Sequence, residues 1–112
     1  MDDCIFCKIV AGTLNTKFIY EDEQVVVFAD IHPKAKTHLL ITCKKHIPSL
    51  NSINDNNEDI GLMGHMIYVL PTIAKQLGIK GFRTIINTGR EGGQEIDHLH
   101  FHLLAGDLPR FG

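Results

Sequence analysis

The sequence predicts a single α+β domain built around an antiparallel sheet, and three observations carry that reading. Short runs rich in β-branched and aromatic residues are joined by links that suit hairpins better than crossovers. One long stretch, 49–78, repeats apolar residues at the three- and four-residue steps of a helix. The chain has 112 residues, 44% of them hydrophobic and 21% charged, which is enough for one core and too little for two, so the domain is expected to span 1–112.

The apolar run 4–10, closed by Ala11-Gly12, predicts a short N-terminal helix that carries Cys4 and Cys7. Strand signals begin at Phe18-Ile19-Tyr20 and resume over 24–30 after the acidic turn Glu21-Asp22-Glu23, so these runs are expected to pair as a hairpin. Pro33 and two lysines mark 31–36 as a connection, and 37–43 reads as a third strand. The long helix is expected over 49–78, with capping residues around 52–57 and a stop at Gly78. Its buried stripe is expected to be Ile60, Met63, Met66, Ile67, Leu70, Ile73, Ala74 and Leu77. Pro71 lacks an N–H and crowds the preceding turn, which predicts a kink costing about 3 kcal/mol. Two further strands, 82–87 and 97–104, flank a glycine-rich loop at 88–95 and bring the sheet to five.

Charge narrows the function. Eleven Lys and Arg against thirteen Asp and Glu leave a formal charge of −2, without the broad positive field of a duplex-binding protein, so nucleic acid is not an expected partner. The start, MDDCIFCKIV, is acidic where a secretory signal is basic, and no apolar run reaches the roughly 18 residues of a membrane span. A cytoplasmic protein with no membrane partner is expected. Three cysteines, two of them as Cys4-x-x-Cys7, point in that compartment to metal binding, a redox pair or inert buried thiols.

Seven histidines are the strongest compositional signal. His98-Leu99-His100-Phe101-His102 alternates, and the two-residue period of a strand sends all three imidazoles to one face. A solvated strand face would tolerate this pattern. A three-histidine catalytic metal site would use it, although such sites usually draw ligands from several elements. The preceding Gly89-Arg90-Glu91-Gly92-Gly93 matches neither the P-loop nor the dinucleotide fingerprint, since it opens no helix. Its glycines fit a plain hairpin loop and also permit the close approach by which backbone N–H groups cradle a phosphate. An imidazole that attacks phosphorus needs one nitrogen free and the other N–H tied to an acceptor, which a nearby backbone carbonyl can supply.

Asn87-x-Gly89-x-x-Gly92-Gly93-Gln94, followed by His98-Leu99-His100-Phe101-His102-Leu103-Leu104, resembles the His-φ-His-φ-His-φ-φ motif of the histidine-triad superfamily, φ being apolar. Cys4-Ile5-Phe6-Cys7-Lys8-Ile9, Phe28-Ala29-Asp30-Ile31-x-Pro33, Thr37-His38-Leu39-Leu40-Ile41 and Lys44-Lys45-His46-Ile47 extend the likeness along the whole chain, toward the short nucleotide-binding branch. The resemblance implies a homodimer whose two five-stranded sheets join into one of ten strands. It also implies hydrolysis of purine nucleoside 5′-phosphoramidates, AMP-type substrates among them, through a covalent nucleotidyl-histidine and without a catalytic cofactor. His100 matches the nucleophile, His102 and His38 the histidines that contact the phosphate and move protons, and Asn87 a phosphate contact. The backbone at Gly93, Gln94 and Glu95 is expected to help. Asp30 matches the acidic residue that holds the ribose hydroxyls, and Ile9, Phe28 and Ile31 match the apolar walls of the base pocket. Cys4, Cys7, His46 and His98 match the ligands of zinc-containing members, which implies a structural Cys₂His₂ zinc. One position departs from the pattern. Glu95 stands where the best-known eukaryotic members have serine, and a carboxylate there lies beside the phosphoryl group. Dinucleoside polyphosphate hydrolysis and a nucleotide-binding regulatory module with vestigial catalysis are the alternatives; the complete triad argues against the second, since a pure binder needs no nucleophile.

Overall fold

In the computed structural model, which describes residues 3–111, strands β1 (Tyr20–Glu21), β2 (Val25–Ala29), β3 (Thr37–Cys43), β4 (Arg83–Ile85) and β5 (His100–Ala105) form one sheet. Their order is β1-β2-β3-β5-β4 and every pairing is antiparallel. Met1 and Asp2 of the acidic start, and Gly112, lie outside the described residues. Two helices complete the α+β fold: α1 (Ile5–Val10) and the long α2 (Asn57–Gln76). Among the described residues no helix is long and apolar enough to cross a membrane.

The register divides the sheet into two chemically different faces. Val26 pairs with Thr42 and Thr42 with His100, while Phe28 pairs with Leu40 and Leu40 with His102. Directly opposed residues share a side, so this face carries His38, His100 and His102 among apolar neighbours. The alternate residues Val25, Val27, Leu39, Ile41, Phe101 and Leu103 pack against Leu62, Met66, Val69, Leu70 and Ile73 of α2 to make the main core. On the histidine face the short α1 lays Phe6 and Ile9 on Val26, Phe28 and Leu40.

Capping explains where the helices begin. Cys4 caps α1, its sulfur accepting the Cys7 N–H at 3.4 Å. Asn56 caps α2 by accepting the Asp59 N–H at 2.8 Å, and Gly78, at φ +70°, ends it with the Ile79 N–H returning to the Ala74 carbonyl at 2.8 Å. Buried Asp59 accepts from the Lys45 ammonium at 2.7 Å and the Asn54 N–H at 2.8 Å. The Lys45 contact leads in holding that carboxyl below its usual range.

Three expectations need correction. The helical stretch divides into a short 3₁₀ turn, Leu50–Ser52, and α2 proper, because the capping segment at 53–56 interrupts it. The buried stripe runs through Leu62, Met66, Val69, Leu70, Ile73 and Ala74, while Ile60, Ile67 and Leu77 are exposed: apolar residues occupy two arcs of the helix and only one meets the sheet. Pro71 lies inside the span of α2, on its exposed side. Finally, β5 starts at His100 rather than 97, so His98 sits in a bend ahead of the strand and only two of the three motif histidines share its regular alternation.

Candidate active site

Two chains of hydrogen bonds settle how the histidines present themselves. His100 Nδ1 lies 2.7 Å from the backbone carbonyl of His98, an acceptor only, so Nδ1 carries the proton and Nε2 keeps its lone pair. Burial pushes the His100 pKa below the usual imidazole range, which keeps the ring neutral near pH 7. Phe6 packs edge-on against it with ring centroids 4.9 Å apart. The second chain starts at the Lys34 N–H, which donates to His38 Nδ1 at 3.0 Å. His38 therefore carries its proton on Nε2, which faces His102 Nδ1 at 2.8 Å and Asp30 Oδ2 at 3.4 Å. His102 Nδ1 then accepts, leaving Nε2–H as the donor. Burial, and behind it the proximity of His100 and His38, hold the His102 pKa down to about 4.

These rings open onto a cleft of about 600 Å³. Ile5, Phe6, Ile9, Phe28 and Leu40 line its apolar part, with Asp30, Ile31 and His32 beside them. His38, His100 and His102 lie along the middle, and Asn87, Gly93 and Glu95 line it as well. The sheet order fixes this sequence, since the cleft crosses from β2 through β3 and β5 to β4. Asp30 uses Oδ1 to accept the His32 N–H at 2.9 Å, and it remains only partly buried.

Most residues singled out from sequence are brought together here. Ile31 differs in degree, since it is 85% exposed and stands at the cleft's edge rather than forming a packed wall. Gln94 is buried and absent from the lining. Its side chain accepts from the Gly89 N–H at 2.9 Å and donates to the carbonyls of Pro48 at 2.7 Å and Ile96 at 2.9 Å, so it holds the loop in shape. Sequence reasoning passed over Phe6, Leu40 and the Lys34 N–H. For Phe6 a signal existed: an apolar residue between two candidate ligand cysteines is fixed in direction by both. The role of the Lys34 N–H, a backbone group, left no mark in residue type.

A second cluster lies on the other side of Phe6. The ligand atoms of Cys4, Cys7, His46 and His98 all lie within 4.8 Å of one another and could hold a metal ion. Cys7 Sγ is 3.2 Å from His46 Nδ1, Cys4 Sγ is 3.4 Å from His98 Nδ1, and the two Nδ1 atoms are 3.2 Å apart. A tetrahedral ion with bonds of about 2.0 to 2.3 Å needs ligand separations of roughly 3.3 to 3.8 Å, so the fit is close. His98 is also in the tautomer a ligand needs: Nε2 donates to the Cys43 carbonyl at 2.7 Å, which turns the Nδ1 lone pair toward the sulfurs. Burial, followed by the Cys4 sulfur beside it, pushes the Cys7 thiol up, a preference that a bound cation would reverse.

Comparison with known proteins agrees with this geometry. Residues 3–111 match the family described as scavenger mRNA decapping enzyme C-term binding. Protein HitA of Neisseria gonorrhoeae is 46% identical over 106 residues, covering 94% of this chain and 97% of the relative. The purine nucleoside phosphoramidase of Escherichia coli K12 is 42% identical over 107 residues, covering 94% and 88%. A solved histidine triad protein from Clostridium difficile superposes with a TM-score of 0.94 at 43% identity, covering 100% of this chain and 98% of the other. Triad, cleft and whole-chain likeness lead to one conclusion: the chain belongs to the histidine-triad family.

Proposed function

We propose that this protein is a nucleotide-binding hydrolase that cleaves the P–N bond of purine nucleoside 5′-phosphoramidates, AMP-amidates among them, through a nucleotidyl-His100 intermediate. The observation that carries the reading is the 2.7 Å bond from His100 Nδ1 to the His98 carbonyl, because it leaves a neutral imidazole with Nε2 free to attack. The likeness to a relative named purine nucleoside phosphoramidase supports the choice of reaction.

In the first step the His100 Nε2 lone pair forms a bond to phosphorus while the P–N bond breaks and its electron pair stays on nitrogen. The leaving nitrogen takes a proton from His102 Nε2. An anionic phosphoramidate beside His102 raises that group's low pKa, so His102 takes up a proton on Nδ1 with the substrate while the His38 Nε2–H turns from it to Asp30 Oδ2, 3.4 Å away. In the second step water attacks phosphorus, the P–Nε2 bond breaks, and the proton from water returns to His102. Before substrate binds, His38 holds His102 in register through the 2.8 Å bond to its Nδ1. Asn87 and His102 serve the charge that develops on the phosphoryl oxygens, while the Gly93 N–H is committed to the Arg90 carbonyl at 3.0 Å. Asp30 serves the ribose hydroxyls, and Ile9, Phe28 and Ile31 the base.

Zinc suits the Cys₂His₂ donor set; bound there by Cys4, Cys7, His46 and His98, it would supply structural cross-linking rather than chemistry. The reading also includes a homodimer with a continuous ten-stranded sheet and a cytoplasmic site of action. An acid-quenched reaction with an AMP-amidate examined by mass spectrometry tests the mechanism. A nucleotide adduct on His100, with net retention at a chiral phosphorus, is expected. Inversion without an adduct would remove His100 from its role. His100→Ala is expected to lower turnover by several orders of magnitude while AMP still binds.

A further inference from the structure

The loop before β5 contributes a charge that the mechanism does not use. Glu95 lines the cleft with Asn87, Gly93, His100 and His102, and its side chain is exposed. Among the described residues it enters no ion pair. The neighbouring cation Arg90 is committed elsewhere, to Asp97 Oδ2 at 2.9 Å and to the Gln94 carbonyl. Gln94, held by its three side-chain hydrogen bonds, fixes the backbone on either side of it and so the point at which the Glu95 side chain leaves the loop.

Topology says which part of a substrate would meet this carboxylate. The nucleoside residues Phe28 and Asp30 belong to the β2 side, and the phosphate centre, His100 and His102, lies on β5. In-line attack by His100 Nε2 sends the leaving nitrogen out opposite that atom, and beyond the histidines from the nucleoside side the cleft is lined by Asn87, Gly93 and Glu95, on the β4 and loop side. A carboxylate at that end opposes an anionic phosphoryl group and any anionic leaving group. It favours a leaving group that brings its own positive charge.

We infer that Glu95 sets leaving-group specificity, selecting phosphoramidates whose amine carries a second, cationic group. This rests on the phosphoramidase reading and narrows its substrate class to amidates of diamines and basic amino-acid-like amines. The bond that forms and the bond that breaks are those already described; Glu95 takes no proton and makes no bond, and acts through charge alone.

The test uses three AMP-amidates with leaving amines of matched length: 1,4-diaminobutane, butylamine and 4-aminobutanoate. kcat/KM is measured at low ionic strength, where charge is least screened. The wild type is expected to favour the cationic over the anionic amidate by about tenfold, and Glu95→Gln to shrink that ratio to about twofold or less. Glu95→Lys is expected to invert the order. Raising the salt should compress the wild-type ratio but leave that of Glu95→Gln nearly unchanged. Equal cleavage of all three by the wild type, or a ratio that Glu95→Gln leaves intact, would overturn the assignment while leaving the phosphoramidase reading in place. Failure of the wild type to cleave any of the three would overturn that reading, and the role of Glu95 with it.

Discussion

His98 is where the two clusters meet. Its ring nitrogen Nδ1 points at the cysteine sulfurs and its own carbonyl fixes the tautomer of His100. The motif made the three histidines legible and the family resemblance implied their different roles; the bend that lifts His98 out of the strand left no mark in the alternation. A neighbouring residue tests how much polar content this face tolerates. Thr42 pairs with His100 and is fully buried, and its hydroxyl has no hydrogen-bond partner among the described residues. An unpaired buried hydroxyl costs on the order of 1 kcal/mol or more, so the near-isosteric Thr42→Val is expected to raise the thermal midpoint, and Thr42→Ala to lower it by opening a gap. A lower midpoint for Thr42→Val would show that the hydroxyl is satisfied after all. Asp22 gives a pH-dependent case. Burial raises its pKa, but hydrogen bonds from Tyr20, Gln24, His65 and Val25 outweigh that and bring it to about 2. A carboxyl lowered on folding stabilises above its unfolded pKa of about 4 and loses that contribution as pH falls through its folded value. The wild-type advantage over Asp22→Asn, about 2 kcal/mol near neutrality, is therefore expected to shrink between pH 4 and pH 2 in denaturant titrations.

Among the elements, α1 carries more function than its six residues suggest. Cys4 and Cys7 turn one side of it to His46 and His98, while Ile5, Phe6 and Ile9 form part of the cleft. An ion in the cluster would tie this helix to the sheet, so stripping it is expected to loosen the apolar wall of the cleft as well as lower stability. For Cys7→Ser, or wild type treated with a chelator, AMP affinity measured by calorimetry is expected to fall severalfold together with the thermal midpoint. Unchanged affinity would mean that packing alone holds α1. Periodicity located both helices and four of the five strand cores closely, because it reports on local chain geometry. It misassigned the buried arc of α2 because a 3.6-residue period fixes which residues align and not which of two apolar arcs faces the sheet. The Asn-rich segment at 53–56 carries the signal of a helix start, and its place outside α2 depends on Asp59, which accepts from the Asn54 N–H and from Lys45, the latter a contact made through the fold.

At the scale of the whole molecule, the arc of α2 that misses the sheet is the strongest reason to expect a second copy. Ile60, Gly64, Ile67, Tyr68 and Pro71 follow one another at helical steps along the outside, with Ile67 51% and Tyr68 70% exposed. Gly64 has open space around the position of a Cβ, which would let another helix approach closely. The strand β4 lies at one edge of the sheet with Phe82 and Ile85 both partly exposed beside it, and an edge strand offers unpaired backbone groups to another chain. A two-fold axis that pairs β4 with its own copy would extend the sheet and cover the apolar arc in one operation. Light scattering at micromolar concentration is therefore expected to give about 25 kDa, twice the chain mass of 12.5 kDa. The thermal midpoint is expected to rise with protein concentration, as mass action requires of an associated state. Ile67→Asp places a charge in the covered arc without touching the core and is expected to give the monomer mass and remove the concentration dependence. A wild-type mass of one chain at these concentrations, with a midpoint indifferent to concentration, would leave the arc without a partner of its own kind.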